Sequence, residues 1–114
     1  MIARIWHGYT SNSNADAYEK LLKEEIFIHI KSREINGYHG IQLLRRSLGN
    51  EDEFITIMWF DSLDSVKEFA GEEYDRSVVP ESARIILSRF DQRSQHYEVR
   101  HSDLNLPSYE FLSH

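Results

Sequence analysis

Residues Ile55-Thr-Ile-Met-Trp-Phe-Asp-Ser-Leu-Asp-Ser-Val-Lys-Glu-Phe-Ala-Gly71 change hydrophobic period midway, and the fold is read from that change. Through Phe60 the run is apolar and β-branched, which reads as a strand. From Leu63 the apolar residues Leu63, Val66, Phe69 and Ala70 recur at helical spacing. Asp61 stands at the cap position and Gly71 at the end, so a short helix follows the strand. Upstream, Ile41 to Leu48 forms a second extended run. The intervening Gly49-Asn-Glu-Asp52 makes the two runs a β-hairpin.

Working outward, Ile2 to Tyr9 reads as a strand that carries apolar residues on both parities, which suits a central position in a sheet. The polar cluster Thr10 to Asn14 follows, and Ser13-x-x-Asp16 approximates a capping box. Ala15, Tyr18, Leu22, Ile26 and His29 then share one face of a helix running to about residue 33, which Asn36-Gly37 should end. Beyond the central helix, Ala83, Ile86, Leu87 and Phe90 have helical spacing after Pro80, and Gln95 to His101 alternates like a last strand. The order β-α-β-β-α-(α)-β is an α+β, ferredoxin-like split β-α-β pattern. It implies a four-stranded antiparallel sheet with helices on one face. The other face is then bare. We expect it to carry Ile2, Trp6, Phe54, Met58 and Phe60, and a second copy of the chain to cover it.

The 114 residues and 13.5 kDa fit one domain, taken as residues 1–101, with an apolar tail over 102–114 that should pack on the protomer or its partner. With no cysteine, disulfide scaffolds, thiolate metal sites and cysteine nucleophiles are excluded. The net charge of −6 argues against nucleic acid or an anionic membrane surface as partner. Much of that charge is local, with six carboxylates between Asp61 and Asp75 against Lys67 alone, as on a solvated helix face. The opening MIARIWHG lacks the apolar region of a signal peptide, so a cytoplasmic location is the expectation.

The opening MIARIWHG, the stretch ITIMWFDSLDSVKEFAG and the closing QHYEV together resemble the antibiotic biosynthesis monooxygenase family over residues 1–101. The resemblance implies a dimeric α/β barrel, two ferredoxin-like units with joined sheets and a pocket between sheet and helices in each protomer. It also implies cofactor-independent oxygenation of a small aromatic or quinol-like substrate. The haem-degrading branch of that superfamily uses an Asn on the first strand, a Trp on the third and a helical His. Trp59 matches, but His7 stands near the Asn position and no histidine occurs between Leu63 and Phe90, so haem degradation of that kind is not expected.

His7 shares its parity with Ala3 and Ile5, Trp59 with Ile55 and Ile57, and Tyr97 with Val99. If those parities face the helices, His7 is the candidate base and Trp59 and Tyr97 are pocket walls, since oxygenation without a cofactor needs its substrate as an anion. Arg4 would then pair with Glu98 inside the barrel. Each of these residues has a structural alternative: a hydrogen-bonded histidine at a strand end, a packing tryptophan, a buried polar network. No pair of histidines has metal-ligand spacing, and no G-x-G-x-x-G, Walker loop or G-x-S-x-G occurs, so neither metal nor cofactor is expected. The competing reading is a non-catalytic homodimer that binds a small ligand or serves as a scaffold.

Overall fold

A computed structural model describes residues 1–105 of the chain. The tail residues Leu106, Pro107, Tyr109, Phe111 and Leu112 lie outside the described residues, and with them most of the 102–114 segment.

The strand β1 (Ile2–Ser11) runs through the middle of an antiparallel sheet. On one side it pairs along its whole length with β3 (Glu51–Phe60), from Ile2 opposite Phe60 to Ser11 opposite Glu51. β2 (Tyr38–Ser47) completes the hairpin with β3, with a bulge between Tyr38 and Gly40. On its other side β1 meets two short pieces, β4 (Arg89–Phe90) opposite Gly8 and Tyr9, and β5 (Gln95–Glu98) opposite Ile2 to Ile5. The sheet order β2-β3-β1-β4, with β5 continuing the β4 edge, is the ferredoxin-like arrangement read from the sequence.

The edge opposite β2 is broken because residues 91–94 leave the ladder. Asp91 closes the gap with its side chain. Its Oδ2 accepts from the His7 backbone N–H at 3.2 Å and contacts His7 Nδ1 at 2.8 Å, while the Asp91 N–H donates to the His7 carbonyl at 2.9 Å. Asp91 also accepts, through its backbone carbonyl, from the Trp6 indole N–H at 3.0 Å. This break replaces two expected elements. The helix after Pro80 is a single turn, α4 (Glu81–Arg84), with Phe90 already in a strand, and the last strand ends at Glu98 rather than His101.

Between β1 and β2 the helical segment is not uniform. α1 (Ala15–Leu21) passes into a π-helical stretch at Leu22–Ile26 and then into α2 (Phe27–Ser32), with helical dihedrals at both junctions. A π stretch adds a residue to the turn and commonly sits at a functional site. The expected Ser13 box is not made; a 3-10 turn, Asn12–Asn14, leads into α1, and its last residue, Asn14, stands at the cap position without a side-chain cap bond. α3 (Leu63–Ala70) is capped by Ser62, whose side chain accepts from the Ser65 N–H, a bond worth about 1 kcal/mol. Asp61, one residue earlier, instead contacts His39 at 2.5 Å. Gly37 leads into β2 with φ +83, and a Cβ there would meet Ser65 Oγ at 2.1 Å, so no other residue fits this approach to α3.

The helices lie on one face of the sheet, and the residues beneath them correct the expected facing. Trp6, Phe54, Met58 and Phe60 are buried, as are Arg4 and Thr56, which share their parity. These are the residues expected on the bare face. The other parity, Ile5 and His7 on β1 with Ile55, Ile57 and Trp59 on β3, is half-buried, and among the described residues no helix lies over it. The bulky side chains fill the irregular space under the helices, where Tyr18 meets Phe54 edge-on at 4.9 Å. The β-branched isoleucines make the uncovered surface.

Candidate functional site

The helix-facing side of β1 and β3 is covered by segments of three kinds. The π-helical stretch supplies Leu22 and Ile26, α2 supplies Phe27 and Ile30, and the irregular strap before α4 supplies Val78, Val79 and Pro80. Between these and the sheet residues Arg4, Trp6, Thr56 and Met58 lies a cavity of about 60 Å³, open at one side. Its lining is apolar apart from Arg4, the Thr56 and Ser94 hydroxyls and the Tyr18 phenol. Ligand pockets usually measure about 300–1,000 Å³, and even benzene occupies a cavity of about 150 Å³. Admission of an aromatic ring therefore requires the strap or the helical wall to move outward.

Arg4 gives the cavity its chemistry. It is 3% exposed. Its Nη1 donates to the Tyr74 carbonyl and lies 3.0 Å from His96 Nε2, its Nη2 donates to the Arg76 carbonyl at 2.8 Å, and Phe69 lies 5.5 Å from its carbon centre. Because a guanidinium has no acceptor, His96 Nε2 accepts here and the ring carries its proton on Nδ1. Burial lowers the Arg4 pKa to about 10, with the charge of Asp75 opposing the shift. Burial, then the Arg4 charge, lowers His96, again against Asp75. The expected Arg4–Glu98 pair is thus replaced by backbone carbonyls and a neutral imidazole. His96, opposite Arg4 in register, shares its face and lines a separate open cleft with Tyr74, Glu72, Asp75 and Glu98. Tyr74 packs edge-on against His96 at 5.2 Å.

His7, Trp59 and Tyr97 stand on the opposite face of the sheet and none lines the cavity. Trp59 and Tyr97 flank Ala3 in one cross-strand row. His7 lies four residues along β1 from that row, about 13 Å at strand spacing. His7 is engaged by Asp91 as described, Trp59 Nε1 donates to Gln42 Oε1 at 3.0 Å, and Tyr97 is 54% exposed with its hydroxyl on Gln95. The facing on which their pocket roles rested is reversed. Arg45 and Arg46, on opposite faces of β2, are both held by carboxylates, Arg45 by Asp16, Glu19 and Asp52, and Arg46 by Glu53.

Sequence reasoning placed Arg4 in the barrel beside Glu98 instead of under the helices, and it missed Asp91. Gly8 was the available signal, since a Cβ there would come within 2.5 Å of the Trp6 ring, so the small residue marks the side on which Trp6 packs. Among the described residues no group of three His, Asp or Glu side chains could hold a metal ion. No histidine lines the cavity, so its residues do not fit an iron-ligated haem.

No protein-family model and no curated protein sequence matches the chain. Solved structures do. A crystal structure titled "Putative Antibiotic Biosynthesis Monooxygenase", from Bacillus cereus, superposes with a TM-score of 0.63 over 91% of this chain and 97% of that one, at 11% identity. The X-ray structure of a protein from Agrobacterium tumefaciens gives 0.61 over 92% and 100%, at 19% identity. Strand order, one-sided helices and coverage agree: the chain has the ferredoxin-like fold of the antibiotic biosynthesis monooxygenase structures.

Proposed function

We propose that the chain is a homodimeric, cofactor-independent monooxygenase-like protein that takes a small aromatic or quinol-like molecule into the cavity between sheet and helices. The observation that carries this reading is the buried Arg4, the one charged residue in a largely apolar lining. Oxygenation without a cofactor needs an electron-rich substrate as its anion, and a cation in a water-poor cavity favours that form. Dimerisation is supported by the uncovered sheet face, where Ile5, Ile55, Ile57 and Trp59 form an apolar patch flanked by exposed Leu44 and Tyr97. A second copy packed there would place His7, Trp59 and Tyr97 at the seam between two sheets.

The test is oxygen uptake with hydroquinones and anthrones, with metals chelated and no flavin added. Uptake above buffer that falls about 100-fold in Arg4→Met, the usual worth of one preorganised donor, supports the reading. Absence of uptake across the panel overturns the catalytic part.

The second reading, a non-catalytic ligand-binding dimer, is favoured by one observation: the cavity lining holds no histidine or carboxylate to act as a base. In that case ligand binding persists with no turnover.

A further inference from the structure

We propose that the cavity takes its ligand as a preformed organic anion, an aromatic or other apolar body that brings its own carboxylate to set against Arg4. This rests on the reading of the cavity as a ligand site and narrows what can occupy it.

The first support is the state of Arg4. Among the described residues no carboxylate lies within ion-pairing distance of it. Its recorded partners, the carbonyls of Tyr74 and Arg76 and the neutral His96 ring, offer dipoles and no negative charge. Asp75, whose charge favours the guanidinium, is itself paired with Arg93 at 2.7 Å. Elsewhere in the molecule Arg45, Arg46, Arg89 and Arg93 each have a carboxylate partner. Arg33, Arg84 and Arg100 also lack a carboxylate partner but are exposed to water, so among the described arginines Arg4 alone is both buried and without one. A buried cation lacking a counter-ion is costly, and an incoming carboxylate relieves that cost while making charge-assisted hydrogen bonds.

The second support is the rest of the lining. A neutral phenol must lose a proton to become the anion Arg4 prefers, and no Asp, Glu or His lines the cavity to accept it. The one other titratable side chain there, Tyr18, has its pKa raised by burial and stays protonated. A ligand already ionised in water needs no such step. The third is shape: Trp6, Leu22, Ile26, Phe27 and Met58 leave a dry space beside the charge, which suits an acid with a short apolar body.

The full chain is titrated at pH 7 with acetate and benzoate, and in parallel with acetamide and benzamide, which keep the shapes and remove the charge. Affinity is read from the Met58 methyl resonance, which reports the cavity and not the outer face. The expected result is that at least one acid binds about tenfold or more tightly than its amide. Arg4→Met abolishes the difference and Arg4→Lys retains part of it. The wild-type comparison decides the point even if Arg4→Met fails to fold. Amides that bind as well as the acids overturn the anion inference and leave the cavity reading standing. If no acid and no amide moves Met58 at millimolar concentration, both fall. An acid that binds without moving Met58 is held at a surface cation and also overturns the inference.

Discussion

The two faces of one sheet differ more than their sequences suggest. Met58 and Ile57 are adjacent in β3, yet Met58 is buried under helices beside a charged arginine while Ile57 is half-buried with no helix over it among the described residues. The covered face mixes aromatics, Met58, Thr56 and Arg4 under three kinds of covering segment, and retains a cavity. The uncovered face carries the isoleucines Ile5, Ile55 and Ile57 and is lined at its edges by satisfied polar pairs, His7 with Asp91, Tyr9 with Glu53, Trp59 with Gln42. Irregular packing leaves room for a ligand, whereas a β-branched surface suits another sheet.

The largest effect should come from placing a charge on the covered face. Met58→Glu buries a carboxylate among Phe60, Ile30 and Phe69. The cost, about 4–5 kcal/mol or more, removes most of a stability of about 5–15 kcal/mol. Circular dichroism should show loss of the folded state. The neighbouring Ile57→Glu should keep the spectrum and lose the proposed dimer, so that light scattering reads the monomer mass of 13.5 kDa where the unsubstituted chain reads about twice that. If Ile57→Glu unfolds the chain as completely as Met58→Glu, the faces are not separable as described.

A smaller change is expected from His7→Ala, which removes the ring contact to Asp91 but not the backbone bonds around it. Thermal unfolding should fall by about 4–8 °C, for a loss of about 1 kcal/mol. Acetate or benzoate binding at the cavity should be unaltered. A selective loss of oxygen uptake would return His7 to a catalytic role.

The smallest effect is a pH dependence carried by His96. Its folded pKa lies below the ordinary value of 6.5, so the unfolded chain binds more protons in the window between the two. Stability from this residue is therefore full above about 6.5, declines as pH falls through that value, and levels off below the folded pKa. His96→Gln should flatten that part of the melting-temperature profile. An unchanged profile would show that burial beside Arg4 does not govern the ring.

Element types and order were legible because local period and punctuation agree. Strand-to-helix switching at Phe60–Leu63, the Gly49 hairpin and the end of the first helical run before Gly37 all follow from neighbours in sequence. Facing was not legible, because both parities of β1 and β3 carry large apolar residues and period-2 reasoning cannot then say which side meets the helices. Arg4 misled for a related reason. A lone arginine in a strand reads as paired with the nearest acid in register, Glu98, but its long stem carries the head to carbonyls seventy and more residues away. Nor does composition announce the π stretch at Leu22–Ile26, whose residues also suit an ordinary helix.

The division of labour between the faces is tested most directly by methyl NMR of the full chain during titration with acetate or benzoate, with Met58, Ile26 and Ile30 observed against Ile5, Ile55 and Ile57. Progressive, saturable shifts at the first three with the second three still are the predicted result. Shifts at Ile55 and Ile57 with Met58 unmoved would place the ligand on the uncovered face and contradict the account.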